Sequence, residues 1–262
     1  VPVAIMGSNK LEMIICELAI LKAGGCFVPF EPNTPTERLN YTLQASKAAL
    51  IIACDQESRH ILSNQNEFCP SLDLLEKKDE IAAMDNYLIN PYRSKPSDLA
   101  YILYTSGSTA ATPKGVMQTR GGLQGQIENY KENLAISSKD HFLQLAPLTH
   151  DQAIVDTYGA LLNGAELHLV DMDLEKLDPR SLQQIIKEKQ ITIFSSIPSV
   201  FSMIFEGVND DTSFPNLRIV TLGGEAVKVD HVKLYQQISQ PNCLFINGYG
   251  ATEFSWISYH VI

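Results

Sequence analysis

The 262 residues are 45% hydrophobic and 19% charged, enough apolar chain to bury a core and far from a disordered or collagen-like composition. A formal net charge of -10 argues against a broad polyanion-binding surface, hence against nucleic acid as a partner, and leaves any phosphate to a few local groups. Five scattered cysteines (Cys16, Cys26, Cys54, Cys69 and Cys243) form no C-x-x-C pair, which speaks against a disulfide framework or a structural zinc site and fits a reducing, cytoplasmic setting. No apolar run reaches the roughly 18 residues that span a bilayer, and no basic stretch leads into an apolar one at the N-terminus, so no membrane partner is expected.

In chain order, Val1 to Met6 reads as a buried strand. Asn9 then caps a helix with Glu12 three residues on, and Leu11, Ile14, Ile15, Leu18 and Leu21 follow at helical spacing up to Gly24 and Gly25; this helix is expected to pack on a sheet. Cys26 to Phe30 is a short strand, Thr34-Pro35 opens a second helix with proline at its first position, and Ala48 to Ala53 is another strand. Residues 55 to 97 are polar, with helical character around Leu72 to Met84, and read as connection and surface. From Leu99 on, apolar strands at 99–105, 141–146, 165–170, 191–196, 217–222 and 242–247 alternate with helical stretches, one of them started by Asp178-Pro179. Such alternation predicts an α/β fold of mixed, largely parallel sheets flanked by helices. Two α/β lobes are expected, over residues 1–98 and 99–262. The opening strand without an initiating Met, and the ending inside Trp256 to Ile262, suggest a piece of a longer protein.

Four polar or glycine-rich clusters each follow an apolar strand. They are Thr105-Ser106-Gly107-Ser108-Thr109, Thr149-His150-Asp151, Gly223-Gly224-Glu225, and Asn247 to Glu253. Ligands of open α/β sheets bind beyond the carboxyl ends of strands, so the four are expected to converge on one crevice. Thr105 to Gly115 offers hydroxyls, backbone N–H groups and Lys114, a combination that suits phosphate oxygens and equally an ordinary Ser/Thr/Gly turn. It is not G-x-x-x-x-G-K-[ST], since Pro113 precedes Lys114 and Gly115 follows it. Glu253 offers carboxylate oxygen to Mg²⁺ or is a solvated loop acid. Tyr249 offers a ring to a flat base or is half-buried packing.

Together these residues resemble the adenylate-forming, AMP-binding superfamily, and within it the adenylation domains of nonribosomal peptide synthetases. The matching stretches are Leu21 to Arg38, Leu99 to Thr109 with Pro113 to Val116, Gly159 to Ala165, and Asn247 to Glu253. The resemblance implies the large N-terminal domain of the acyl-adenylate-forming fold, with ATP and Mg²⁺ as cofactors. It also implies an amino-acid substrate activated as an aminoacyl-adenylate with release of pyrophosphate, and a phosphopantetheinyl carrier protein as the acceptor. Thr105, Ser106, Gly107, Ser108, Thr109 and Lys114 would close over the ATP phosphates. Gly223, Gly224, Glu225, Asn247, Tyr249 and Gly250 would receive the adenine, Thr252 would contact the α-phosphate, and Glu253 would bind Mg²⁺. Thr252, Glu253 and Lys114 are thus the groups expected at the reacting phosphates. Asp151 matches the carboxylate that pairs with the substrate α-amino group; the alternative is a helix N-cap opening Gln152 to Leu162. Gln152, Val155, Ser199, Thr221, Gly223, Gly248, Trp256 and Ile257 would line the side-chain pocket. Polar Gln152 and bulky Trp256 leave a small or medium neutral amino acid as the default substrate.

The sequence departs from the pattern in two places. The phosphate loop continues as Ala110-Ala111-Thr112 before Pro113, one residue longer and without the usual glycine, so its closure is expected to be altered or impaired. His150 stands where an aromatic residue usually precedes the aspartate, as a packing ring or a titrating gate. The ribose-binding aspartate, the hinge and the small C-terminal domain with the catalytic lysine are expected beyond Ile262, so the chain by itself should bind ATP weakly and catalyse poorly. Two competing readings are an acyl-CoA ligase for a non-amino carboxylate and a catalytically degenerate binding or scaffold module.

Overall fold

The computed structural model describes residues 1–65, 68–84, 92–105, 112–170, 178–208 and 214–262. Two compact units divide the chain, Val1–Gly125 and Gln126–Ile262.

In the first unit, β1 (Pro2–Met6), β2 (Cys26–Phe30), β3 (Ile51–Ala53), β4 (Ser71–Asp73), β5 (Leu99–Thr105) and β6 (Lys114–Thr119) form one sheet, and α1 (Lys10–Lys22), α2 (Thr36–Ser46), α3 (Gln56–Gln65) and α4 (Leu74–Ala82) connect its strands. The sheet order is β4-β3-β1-β2-β5-β6, parallel except for the β5–β6 pair. α1 begins as expected: the Asn9 side chain accepts from the Glu12 backbone N–H, satisfying an otherwise orphaned donor. It ends at Gly24, whose φ of +82° lets the Gly24 and Gly25 N–H groups turn back to the Leu21 and Ile20 carbonyls. α1 packs on β1 and β2, and the core gathers Met6, Val28, Phe30, Leu39, Leu43, Ile51 and Ile102.

Three expectations are corrected here. Pro35 is the N-cap of α2 and not its first residue. The segment 55–97 holds the helix α3 and the strand β4, the latter only three residues long and too short to leave a periodic signal. The boundary placed at 98/99 falls inside the first unit, because β5 hydrogen-bonds to β2.

The second unit starts within α5 (Arg120–Leu134). It continues with β7 (His141–Gln144), α6 (Asp151–Leu161), β8 (Glu166–Leu169), α7 (Pro179–Glu188), β9 (Ile193–Ser196), α8 (Pro198–Phe205), β10 (Ile219–Gly223), α9 (Val229–Ile238), β11 (Leu244–Ala251) and β12 (Ser255–Val261). The sheet order is β12-β11-β10-β9-β7-β8, and only β12 runs antiparallel. The expected strand cores from 141 onwards are all present. Side chains alternate across the sheet. Phe194, Val220, Leu222 and Phe245 point into a core with Phe201, Ile204 and Phe205 of α8 and Leu182 and Ile186 of α7. Ser195, paired with Thr221, faces the other way, toward Tyr130 of α5. Among the described residues, no helix is long and apolar enough to cross a membrane.

Candidate functional site

Three of the four sequence clusters, those at 149–151, 223–225 and 247–253, belong to the second unit. Gly223, the last residue of β10, pairs with Gly248 of β11, so two residues without side chains lie side by side on one face. The Trp256 indole occupies that bare shelf: a Cβ built on Gly248 would lie 1.0 Å from Trp256 Cζ3, and one on Gly223 2.7 Å from Cη2. The indole in turn stacks on Tyr259, with ring centroids 5.4 Å apart. The structure thus brings together Gly223, Gly248 and Trp256 of the predicted pocket. Thr221 stands two residues before Gly223 on the same face, 1% exposed, and its Oγ1 has no hydrogen-bond partner among the described residues.

Asp151 opens α6. Its N-cap is His150, so the N-cap reading of Asp151 is corrected: the carboxylate sits one residue into the helix and accepts the neighbouring Gln152 N–H, at 3.1 Å. Burial raises the Asp151 carboxyl above its ordinary range; Gln152 N–H and His150 oppose the rise, and the charge of Glu253 adds to it. The start of α6 and the turn after β11 are therefore within electrostatic reach of each other. Val155, one helical turn on, is buried.

Glu225 has a partner already. It accepts from Ser199 N at 3.0 Å and Ser199 Oγ at 2.9 Å, which caps the first turn of α8 and ties a predicted adenine residue to a predicted pocket residue. Gly224 takes a φ of +79°, the left-handed conformation in which glycine is strain-free. Asn247 to Ala251 were expected beyond a strand end but lie within β11, because pairing with β12 prolongs it; Thr252 and Glu253 occupy the turn between the two strands. Tyr249 and Ile257 stand out into solvent, 70% and 58% exposed, and Gly250 is exposed beside the bulge of the β11–β12 pair. An outward ring at Tyr249 is available for stacking. Ile257 is not drawn onto the shelf with Trp256.

The phosphate-loop candidate lies in the first unit. Thr105 ends β5, Lys114 starts β6, and the two are register partners, so the loop joins an antiparallel hairpin and not a strand to a helix. Ser106, Gly107, Ser108, Thr109, Ala110 and Ala111 lie outside the described residues. Lys114 is exposed.

Sequence reading missed Asp156. It lies in the middle of the buried run Ala153 to Ala160, 1% exposed, where a lone acid in an apolar stretch was the available signal. Tyr130 donates to its Oδ1 at 2.7 Å, and Ser195 Oγ lies 3.4 Å from the Tyr130 hydroxyl. Burial pushes its carboxyl up to about 6, against the opposing help of Gln152, Tyr130 and Ser195. Asp156 thus sits beneath Gln152, a predicted pocket residue. Its charge also raises the Tyr259 hydroxyl, after burial of that ring.

The AMP-binding enzyme family matches residues 1–262. Gramicidin S synthase 2 of Aneurinibacillus migulanus is 34% identical over 257 residues, 98% of this chain and 6% of that protein. Tyrocidine synthase 3 of Brevibacillus parabrevis is 34% identical over 256 residues, 98% of this chain and 4% of that protein. The chain therefore spans a small part of the length of these relatives. Among solved structures, the N-terminal subdomain of Klebsiella oxytoca NpsA in complex with 3-hydroxybenzoyl-AMSN superposes with a TM-score of 0.83 at 25% identity, covering 100% of this chain and 62% of that one.

Proposed function

We propose, for a chain that belongs to the AMP-binding enzyme family, that it activates an amino acid with ATP and serves a nonribosomal peptide synthetase. A substrate carboxylate oxygen bonds to the α-phosphorus, the bond from that phosphorus to the β-phosphate oxygen breaks, and pyrophosphate leaves with the electron pair. The thiol sulfur of a phosphopantetheinyl carrier protein then bonds to the acyl carbon, the bond from that carbon to the AMP phosphate oxygen breaks, and AMP leaves with the electron pair as the thiol gives up its proton. The similarity to gramicidin S and tyrocidine synthases supports this assignment.

The observation that carries the reading is Asp151. A carboxylate held at a helix start, desolvated and raised by the nearby Glu253 charge, gains a counter-charge when an ammonium group binds. An analogue without the amine leaves that acid unpaired, which makes Asp151 a selector. Gln152, Val155, Ser199, Thr221, Gly248, Trp256 and Ile257 shape the side-chain pocket, and the indole over Gly223 and Gly248 limits it to a small or medium neutral side chain. The adenine is received by Gly223, Gly224, Glu225, Asn247, Tyr249 and Gly250. Thr252 meets the α-phosphate, and Thr105 to Thr109 with Lys114 hold the outer phosphates. Glu253, an exposed carboxylate in a turn whose field already reaches Asp151, fits a hard cation and would hold Mg²⁺. Bound there, the ion would neutralise charge growing on phosphate oxygens. Five free thiols, four of them buried, suit a reducing, cytoplasmic setting.

The test is amino-acid-dependent exchange of pyrophosphate into ATP by the intact synthetase, with and without Asp151→Asn. Loss of about 100-fold or more in kcat/KM for the amino acid is expected, as for a broken buried ion pair. Undiminished activity on a carboxylic acid lacking the amine would move the chain to the acyl-CoA ligases. Absence of both exchange and nucleotide binding in the unmutated protein would leave only a scaffold.

A further inference from the structure

The second sheet carries a group of side chains that the adenylation chemistry does not use. Glu166 and His168 are two residues apart on β8, so their side chains share a face, and β8 is the edge strand of its sheet. Parallel pairing with β7 sets His141 opposite Glu166 and Leu143 opposite His168. Glu166 Oε2 lies 3.4 Å from His168 Nε2 and 3.9 Å from His141 Nδ1, and one ligand atom from each of the three falls within 4.8 Å of the others. The two imidazoles lie nearly parallel, 28° between planes, with centroids 5.5 Å apart.

We propose that His141, Glu166 and His168 form a binding site for a divalent transition-metal ion, zinc above all. Bonds of about 2.0–2.1 Å in a tetrahedron place neighbouring ligand atoms about 3.4 Å apart, the separation already present between Glu166 and His168. The separations reach at most 4.8 Å, so up to about 1.4 Å of closure remains, through rotation of the Glu166 side chain, 65% exposed, and of the two imidazole rings. Among the described residues, buried His168 Nε2 makes no well-aligned hydrogen bond, its 3.4 Å approach to Glu166 Oε2 being an ion-pair contact that a shared metal ion would complete. His141 Nδ1, 3.9 Å from Glu166, lies 2.9 Å from the Lys189 carbonyl oxygen; while Nδ1 donates there Nε2 is the nitrogen open to a metal, and ligation through Nδ1 would require that bond to be given up. Two imidazoles and one carboxylate select zinc, nickel or copper over magnesium. The scattered cysteines spoke against a thiolate zinc site, and this one needs none.

The position separates it from the adenylating groups. His141 and Glu166 are the first residues of β7 and β8, whereas Asp151 and Gly223 to Glu225 lie at or beyond strand C-terminal ends. An ion here would clip β8, the edge strand among the described residues, to its neighbour β7.

The experiment is calorimetric titration of the intact, chelator-treated protein with ZnCl₂ near neutral pH, alongside His168→Ala and Glu166→Gln. One equivalent is expected, weakened about tenfold or more in each variant. Glu166 is exposed, so Glu166→Gln keeps the test alive should His168→Ala fail to fold. Cobalt substitution should give visible d–d bands without a near-ultraviolet thiolate band. Equal zinc affinity and stoichiometry in both variants, a thiolate band, or no binding tighter than about millimolar would overturn the proposal.

Discussion

Each of the two sheets ends in one antiparallel strand, and in each the closing hairpin carries a chemical motif. β5 and β6 close the first sheet around Thr105 to Gly115, with Thr105 opposite Lys114. β11 and β12 close the second around Asn247 to Glu253, with Ala251 opposite Ser255. The hairpins are held by different means. In the second, Trp256 lies against the paired glycines 223 and 248 and stacks on Tyr259, so an apolar ring locks the closing strand. In the first, β6 has no buried residue and half of it is exposed: Lys114 and Gly115 face solvent, Met117 is 65% exposed, and Gly115 rests against the end of the Tyr104 ring. The second hairpin thus has the rigid framing that discrimination of a side chain needs. The first presents polar groups on a lightly packed strand, a better base for contacts made only when phosphate is bound.

The same substitution in both hairpins tests that contrast, and the second should give the largest effect. Gly248→Ala puts a methyl 1.0 Å from Trp256 Cζ3 and 2.1 Å from two further ring carbons, so the indole must leave. A stability loss of about 1–3 kcal/mol is expected from the overpacking, together with about a 100-fold fall in adenylation from the misplaced pocket wall. Trp256 is the single tryptophan of the chain, so its emission reports the displacement directly, shifting to the red. Gly115→Ala meets Tyr104 Cζ at 3.0 Å, the far end of a ring that can turn, and should cost less than about 1 kcal/mol. Equal losses in urea unfolding of the two variants would erase the distinction.

The next effect concerns what lies beneath the better-held region. Asp156 has a folded-state pKa of about 6 against an ordinary 3.8, so between those values the folded state binds the extra proton. Stability therefore falls as pH rises from about 4 to about 6 and the penalty is constant above that, on the order of 3 kcal/mol for some two units. Asp156→Asn keeps an acceptor for Tyr130 and removes the titration. The variant should gain up to about that amount above pH 6 and lose its advantage near pH 4, read as the difference from the unmutated protein in urea midpoints across pH. A difference that does not vary with pH would mean Asp156 is not the titrating group. If the amide also raises the KM for the amino acid while that for ATP holds, Asp156 positions Gln152 at the pocket.

Legibility in the sequence followed the same divide. Parallel strands such as Ile219–Gly223 are buried on both faces and read as near-continuous apolar runs, here interrupted by Thr221, and Asn9 with Gly24 marked both ends of α1. The antiparallel additions did not read so plainly. Lys114–Thr119 is polar enough to pass for loop, and Ser255–Val261 gave no hint that its tryptophan would settle on two glycines from different strands. Asp151 and Gly248 were named from motif order, but their surroundings are tertiary: the Glu253 field at Asp151 and the Glu225–Ser199 cap join residues that are 102 and 26 positions apart. The cluster of His141, Glu166 and His168 was invisible because it depends on strand register.

The smallest expected effect probes the open hairpin. Met117 lies on β6, opposite Ile102 of β5, with its side chain turned out to solvent. Met117→Lys removes an exposed apolar group from an edge strand, where a charge also discourages pairing with another chain. Its effect on unfolding free energy should stay within about 0.5 kcal/mol, with an unchanged urea m-value. The added cation stands three residues from Lys114, so if this strand serves phosphate, apparent nucleotide affinity should rise slightly and lose that gain at high salt. A loss of more than about 1 kcal/mol would show that β6 is covered in the folded protein, and the contrast between the two hairpins would then lie in their loops alone.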